Sequence, residues 1–394
     1  MSTRHIPYGR QWIGDEDLAA VTDVLQSDWI TQGERIDEFE SALADYCGAR
    51  HAVAVSSATA ALHLACIAAN VSPGDAVITS PITFAASVNC GIYCGARPDF
   101  VDIDPQTYNM DPGRLEHRLE ALLEPASSGV VVPVHFSGQC CDMSAISRIS
   151  RHHGLRIIED ASHALGSSWL DDEGVRQKVG NCSHSDMAVF SFHPVKNITT
   201  GEGGAIMAND EELYTKLLRL RNHGMARGSE CKAAGHDPWY YEMQELGFNY
   251  RITDFQCALG KSQLNKLDNW IGRRREIAGA YDQALQHLEG VVTPFQRFGS
   301  YSAYHLYVVR ISAGSGARRQ VYDRLREDGI GVQVHYVPVH LHPYYRETYG
   351  CRPGDFPTAE SYYDECLSLP VYPLMSAEDV QYVIDAFSSA VADG

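Results

Sequence analysis

Asp186–Ala208, DMAVFSFHPVKNITTGEGGAIMA, decides how the rest of the chain is read. Met187 to Phe190 form a short apolar run and Gly204 to Ala208 form another, each of strand length. Between them Ser191, His193, Lys196, Asn197, Thr199 and Thr200 lead into Gly201, Glu202, Gly203 and Gly204. The pattern predicts a buried strand, a turn carrying one lysine, a glycine cluster and a second buried strand. A lysine crowded between two core strands is poorly hydrated, so its ammonium is harder to keep charged and its amine becomes a candidate nucleophile. An arbitrary loop lysine is an ordinary solvated group, so the flanking units have to decide.

Upstream, Leu155 to Ile158 read as a strand that runs into Glu159, Asp160, Ala161, Ser162 and His163. Open α/β sheets place ligands beyond the carboxyl ends of their strands, which makes Asp160 a candidate site residue; an N-cap for a following helix is the plainer alternative. His51 to Val55 read as a strand, Ser56 to Thr59 as a polar junction and Ala60 to Ala68 as a helix. Free backbone N–H groups beside hydroxyls at such a junction can grip a phosphate, although helix capping alone would explain the Ser and Thr residues. The glycines and lysine of a P-loop are missing. Ala76–Thr79, Asp99–Asp102 and Val130–His135 are further strands, the first leading to Pro81, Ile82, Thr83 and Phe84, and Ser144–His153 is a crossover helix. This βα repetition predicts a sheet covered on both faces. Nearer the N-terminus, Asp15–Leu25 forms an amphipathic helix, and Ile36, Phe39 and Leu43 mark a second that Gly48 ends.

Downstream, Glu211–Leu220 is helical and Ala226–Glu245 is a long loop able to cover a ligand or reach a partner subunit. Ala258–Ile271 is read as helix, with a second helix running on to Leu288 and a domain boundary near 260–275. Ala303–Ile311 is a strand, Arg319–Glu327 a helix, and HYVPVHLHPYYRETYG from His335 a mixed loop; Cys366–Pro370 and Asp379–Phe387 complete a smaller α+β region. The expected division is a large domain at 1–265, N-terminal segment included, and a small one at 266–394.

The 394 residues carry 32 basic and 50 acidic side chains, a formal charge of -18, which argues against a broad nucleic-acid surface while leaving room for a locally bound anion. No long uncharged apolar run predicts a membrane span, and MSTRHIPYGRQW lacks the apolar segment of a secretory signal. The 11 cysteines include no CxxC pair, so reduced thiols in a cytoplasmic protein are expected. His340, His342, Tyr344 and Arg346 alternate as if on one strand face, but Pro343 interrupts that reading; substrate-loop roles are preferred and no metal is expected.

Thr59, Asp160 and Lys196 together meet one chemical requirement. A lysine can hold an aldehyde cofactor as a Schiff base, an aspartate can keep its pyridine nitrogen protonated, and a helix N-terminus can bind its phosphate. The protonated ring accepts electrons from a carbanion, and the lysine, once released, can move the substrate proton.

With those motifs in place, the sequence resembles the DegT/DnrJ/EryC1/StrS sugar aminotransferases along nearly its whole length, through SDWITQG, SSATAALHLA, IIEDASHALG, SFHPVKNITTGEGG and GFNYRITDFQCALG. The resemblance implies an α/β fold, the PLP-dependent transferase fold type I (aspartate aminotransferase-like), with a large α/β/α domain and a smaller C-terminal α+β domain. It also implies a homodimer with shared active sites. Lys196 corresponds to the lysine that holds pyridoxal 5'-phosphate and Asp160 to the partner of the pyridine nitrogen. Phe84 matches the aromatic residue stacked on the ring, and His163 the residue near its hydroxyl edge. Ala58, Thr59 and Ser191 match phosphate positions, and Asn249 matches a residue reaching the neighbouring subunit's cofactor.

Tyr250, Arg251, His335, His340 and Arg346 are candidate substrate contacts. SDWITQG, HYVPVHLHPYYR and DPWYYEMQELGFNYRITD look most like the aminotransferases of pseudaminic acid biosynthesis. That likeness implies transfer of the amino group of L-glutamate to C4 of a UDP-linked 4-keto-6-deoxy-2-acetamido sugar, giving UDP-4-amino-4,6-dideoxy-N-acetyl-beta-L-altrosamine. The alternatives are an aminotransferase for another nucleotide-linked keto sugar, a nucleotide-sugar 3-dehydratase and a non-catalytic protein of the same fold. Dehydratases of the wider family carry histidine at the lysine position, so Lys196 argues against that chemistry.

Overall fold

Side chains along the central strands alternate between two buried layers, as a sheet covered on both faces requires. Met187 and Val189 pack into one layer while Ala188 and Phe190 pack into the other, and Ile206 and Met207 divide the same way. The computed structural model describes residues 4–121, 128–228, 231–232 and 237–392. The chain begins with α1 (Asp15–Leu25) and α2 (Glu34–Cys47), the latter ended by Gly48 in the left-handed conformation (φ 79°). Next come β1 (His51–Val55), α3 (Ala58–Ala68), β2 (Ala76–Thr79), α4 (Ala86–Tyr93), β3 (Arg97–Phe100) and α5 (Pro112–Ala121). They are followed by β4 (Gly129–Val132), α6 (Met143–His152), β5 (Arg156–Asp160), the small hairpin β6 (Ser168–Leu170) and β7 (Arg176–Lys178), then β8 (Met187–Ser191), β9 (Gly204–Ala208) and α7 (Glu211–Arg221).

The main sheet has seven strands in the order β1-β9-β8-β5-β4-β2-β3. β3, β2, β4, β5 and β8 pair in parallel, whereas β9 is antiparallel to both β8 and β1. That exception has a local cause: residues 192–203 turn straight back without a crossover helix, and a direct return can only pair antiparallel. Helices α3, α4 and α7 cover one face, and α2, α5, α6 and part of the next helical pair cover the other.

Several boundaries differ from the sequence reading. Helix α3 starts at Ala58, two residues early, because the Ser57 hydroxyl caps it by accepting the Ala60 N–H. The strand expected at Asp99–Asp102 lies at Arg97–Phe100; the Asp102 carboxylate instead accepts the N–H groups of Thr358 and Ala359 at 2.9 Å each. β4 stops at Val132, before Pro133, which has no N–H to give a ladder. No helix follows Asp160, whose carboxylate takes the Ser162 N–H in a turn, so the N-cap alternative fails. Within the expected long loop, β10 (Met225–Arg227) and β11 (Tyr241–Met243) form a ribbon; its residues 229–230 and 233–236 lie outside the described set.

The break between the two helices expected from Ala258 to Leu288 falls earlier than Ile271, between α8 (Asp254–Leu264), opened by a Thr253/Gln256 capping box, and α9 (Leu267–Leu285), which stops before Leu288. Beyond them lie β12 (Val291–Val292), β13 (Tyr307–Ile311), α10 (Ser315–Glu327), α11 (Pro343–Tyr349), α12 (Pro357–Glu365), β14 (Cys366–Leu369) and α13 (Ala377–Ala392). β12, β13 and β14 form an antiparallel sheet, with residues 303–306 outside the strand expected there. Part of the expected 335–350 loop is α11, started by Pro343 at a position where a helix has no use for the missing N–H. Helix α9 belongs to both cores: Trp270 and Ile271 pack under the large sheet, while Ile277, Tyr281 and Leu285 pack in the C-terminal lobe. Residues 4–8 run along that lobe too, with Ile6 bonded on both sides to Gly329 and Gly331.

Candidate active site

Four chain crossings deliver side chains to one end of the large sheet. β5 ends at Asp160, β8 at Ser191, β1 at the Ser57 cap of α3, and β2 leads to Thr83 and Phe84. Between them lies a cavity of about 330 Å³, within the range of small-ligand pockets. Its lining includes Ala58, Thr59, Phe84, Asp160, His163, Ser191, Lys196 and His335, all from the sequence reading. Ser57, from the polar junction read as a phosphate grip, lines it too, as do Tyr8, Thr83, Glu202 and Tyr336, which the sequence reading missed in that role.

The phosphate-binding potential comes from backbone. Ser57 takes up the Ala60 N–H with its hydroxyl and the Ala61 N–H with its carbonyl, so the first-turn N–H groups of Ala58 and Thr59 remain for a ligand. β9 begins so close to this helix end that a Cβ on Gly204 would lie 2.6 Å from Ala58 N, which explains the last glycine of GEGG.

Asp160 is buried but not closed off. Ser87 Oγ donates to its Oδ2 at 2.6 Å, and the Ser162 N–H donates to Oδ1 at 3.1 Å. Thr83 Oγ1 lies 2.6 Å from Ser87 Oγ and extends the chain of hydroxyls. The carboxylate is thereby fixed in direction while it still borders the cavity.

Lys196 is half-buried in the turn after β8. Burial pulls its ammonium down to about 8, against the opposing pull of Asp160. Three imidazoles surround it. Burial and the lysine charge push His163 and His305 well below the ordinary histidine range and His335 down to about 3, so all three are neutral near pH 7. The Ser137 N–H donates to His163 Nδ1 at 3.2 Å, so the neutral ring carries its proton on Nε2, which faces Tyr336 Oη at 3.1 Å. Burial raises the Tyr336 phenol, which stays protonated and can donate toward the cavity. Phe84, 63% exposed, presents its ring at the cavity wall.

The remaining candidates sit elsewhere. Asn249 is exposed and bridges to Asn222; Tyr250 Oη meets His63 Nδ1 at 3.2 Å; Arg251 donates to Asn222 Oδ1 at 2.6 Å. His340 is fully buried, with Nε2 3.0 Å from Glu360 and its ring against Phe100 and Phe356, while Arg346 is exposed on α11. None of these five lines the Lys196 cavity. A larger cavity of about 870 Å³ includes Arg221, Arg251 and Asp254. Its polar groups are largely committed: Arg221 pairs with Glu40, and Asp254 accepts the N–H groups of Gly33 and Arg35.

A phosphorylated pyridine aldehyde fits the smaller cavity by its chemistry. The start of α3, with Thr59 and Ser191, suits the phosphate, Asp160 the ring nitrogen, Phe84 the ring face and Lys196 the aldehyde. A large α/β/α domain with this cavity and a smaller α+β lobe define a pyridoxal-phosphate-dependent transferase of fold type I. The chain belongs to the DegT/DnrJ/EryC1/StrS aminotransferase family, which it matches over residues 11–388.

It is 42% identical over 389 residues to the spore coat polysaccharide biosynthesis protein SpsC of Bacillus subtilis, covering 98% of this chain and 97% of that one. Identity is 37% over 385 residues to the UDP-4-amino-4,6-dideoxy-N-acetyl-beta-L-altrosamine transaminase of Campylobacter jejuni, with 98% and 97% covered. The sugar aminotransferase Spr1654 of Streptococcus pneumoniae, described as putative, superimposes in its PMP-form with a TM-score of 0.90 at 29% identity, over 99% of this chain and 100% of that one. Its PLP-form gives 0.89 at 28% identity, with 99% of each chain covered. The chain is accordingly a pyridoxal-phosphate-dependent aminotransferase. Among the described residues no helix is long and apolar enough to cross a membrane.

Proposed function

We propose that the enzyme moves the amino group of L-glutamate to C4 of a UDP-linked 4-keto-6-deoxy-2-acetamido sugar and forms UDP-4-amino-4,6-dideoxy-N-acetyl-beta-L-altrosamine. The observation that carries the chemistry is the meeting of Lys196, Asp160 and the start of α3 in one cavity. When bound, the cofactor supplies an electron sink for the carbon that loses its proton. Lys196, whose ammonium burial pulls down to about 8, takes that proton from the amino donor and later returns one to the sugar carbon. Asp160 would present its carboxylate to the ring nitrogen, held in direction by the Ser87 hydroxyl, with Thr83 Oγ1 behind Ser87.

The sugar assignment is supported by the named Campylobacter jejuni relative. SpsC, at higher identity, supports a second reading in which another nucleotide-linked keto sugar is the acceptor. A homodimer is part of the proposal, with Asn249 reaching the cofactor phosphate of the neighbouring subunit. The exposed Trp239, Tyr241, Met243 and Leu246 on the stretch leading to Asn249 suit burial against a second copy. Free thiols, most of them buried, suit the cytoplasm.

The test supplies L-glutamate with the UDP-linked 4-keto altrosamine precursor or with UDP-4-keto-6-deoxy-GlcNAc and follows amino sugar and 2-oxoglutarate by mass. Preferential turnover of the first is expected. Turnover of the second alone assigns the enzyme to another sugar, and a 3-deoxy product would replace transfer by elimination.

A further inference from the structure

Behind the cavity, the Lys196 amine meets a residue that sequence reading did not single out. His305 Nε2 lies 3.4 Å from Lys196 Nζ, the residue is buried, and its Nδ1 has no hydrogen-bond partner among the described residues. Its backbone is held from several sides. Arg274 Nη1 donates to the carbonyls of Tyr304 at 3.1 Å, His305 at 3.4 Å and Val371 at 2.7 Å. Tyr304 occupies a positive φ of 45°, and its N–H is taken by Ser302 Oγ at 3.0 Å. On the other side Ser137 Oγ donates to the Leu306 carbonyl at 2.7 Å, while the Ser137 N–H holds His163, whose ring centroid is 4.4 Å from that of His305. A side chain this constrained, beside the reactive amine, is placed rather than incidental.

We propose that His305 is a positioning residue which holds Lys196 as the free amine, through a hydrogen bond that only the unprotonated lysine can receive without leaving a buried N–H unpaired. The unpaired Nδ1 carries the argument. Neutral imidazole has one N–H and one lone pair. With the proton on Nε2, the ring donates to the lone pair of the free amine and leaves only an acceptor unpaired at Nδ1. An ammonium has three donors and no acceptor. Opposite it, Nε2 has to accept, which forces the proton onto Nδ1, where nothing receives it. A buried orphan N–H is the rarer and costlier defect. Protonation of Lys196 is therefore opposed twice, by burial and by the tautomer that it imposes on His305. Donation from a fixed Nε2 also sets the direction of the amine.

Other groups facing the amine do not supply this bias. Asp160 at the end of β5 favours the ammonium. His163, beyond β5, has its ring nitrogens engaged with Ser137 and Tyr336, and His335 Nδ1 meets Ser368 Oγ at 2.8 Å. Tyr8 from the N-terminal segment, His193 and Glu202 from the turn itself, and Tyr336 line the cavity, while Arg10 and Arg274 share a small pocket with Lys196 on its far side. Both arginines are common to every variant below.

The inference rests on Lys196 being the lysine that takes the cofactor aldehyde, but its test needs no cofactor, so the two can fail separately. The full chain, freed of cofactor, is labelled with acetic anhydride across a pH series, and Lys196 is followed by peptide mass spectrometry against the surface lysines. His305→Phe keeps the ring volume and removes the hydrogen bond. The labelling midpoint of Lys196 should rise by about 1, which at pH 7 is about a tenfold lower labelling rate, with the rate at high pH and the other lysines unchanged. His305→Gln has an amide that serves amine and ammonium alike, so it should raise the midpoint too and covers the case in which the phenylalanine variant folds poorly. An unchanged or lowered midpoint in the folded variants would overturn the proposal.

Discussion

Glu159 and Asp160 are consecutive carboxylates on β5, and they face opposite layers of the molecule. Glu159 points into the layer of α2, α5 and α6, where His135 Nε2 meets it at 2.7 Å and Ser185 Oγ donates to its other oxygen. His135 is itself completed by the Cys141 N–H at 3.0 Å. Asp160 points to the α4 side, is held by one hydroxyl and one N–H, and keeps a border on the Lys196 cavity. One residue of register separates a closed polar network from an open one. Closure makes the first group structural; the unfilled capacity of the second makes it available for chemistry.

The sharpest way to break this contrast is to neutralise each acid in turn. Asp160→Asn should cut turnover by about 10²–10³-fold, the scale of losing one preorganised electrostatic partner, while the denaturation midpoint hardly moves. Lys196→Ala should abolish turnover altogether, and substantial steady-state transamination by that variant would reject its assignment. Glu159→Ala should do the reverse. Leaving the buried His135 N–H and the Ser185 hydroxyl unpaired is expected to cost about 1–3 kcal/mol of stability for each group, read from denaturant unfolding, with activity per folded molecule retained. If Glu159→Ala instead removed activity at unchanged stability, the division between the two faces would be wrong.

Smaller effects sharpen the comparison. Ser87→Ala removes the 2.6 Å hydrogen bond that aims Asp160 and should lower kcat/KM about tenfold, since a hydrogen bond to a charged group is worth about 1.5–3 kcal/mol. Lys196→Met reads the cost of the buried charge. In the cofactor-free protein Lys196 titrates near 8 when folded and near its ordinary 10.5 when unfolded. Between those values the unfolded chain binds more protons, so the parent gains stability as pH rises. The methionine variant should therefore be more stable below pH 8, by about 1 kcal/mol given the partial exposure of the side chain. The advantage should fade as the pH approaches 10.5, and a gain independent of pH would contradict it.

The stretch that opened the reading was legible because its chemistry is local. Apolar runs bounded the Lys196 turn to within a residue, and IIED placed Asp160 at a strand end. The antiparallel setting of β9 was not read, because it depends on how residues 192–203 return and not on the composition of the strand. Tyr8, His305 and Tyr336 were equally hidden. They reach the lysine from the N-terminal segment and the C-terminal lobe, and no spacing pattern links residues so far apart in sequence. The histidine-rich stretch misled in the opposite sense: His340 looked available, yet Phe100, Phe356 and Glu360 enclose it. Pro343, read only as an interruption, begins α11.

The central claim is that Lys196 is the lysine joined to the cofactor. Reduction of the loaded enzyme with borohydride, followed by proteolysis and peptide mass spectrometry, fixes the pyridoxyl group on the side chain that carries it. The account predicts the label on Lys196 and on no other lysine; a label on any other lysine, with Lys196 unmodified, would contradict it.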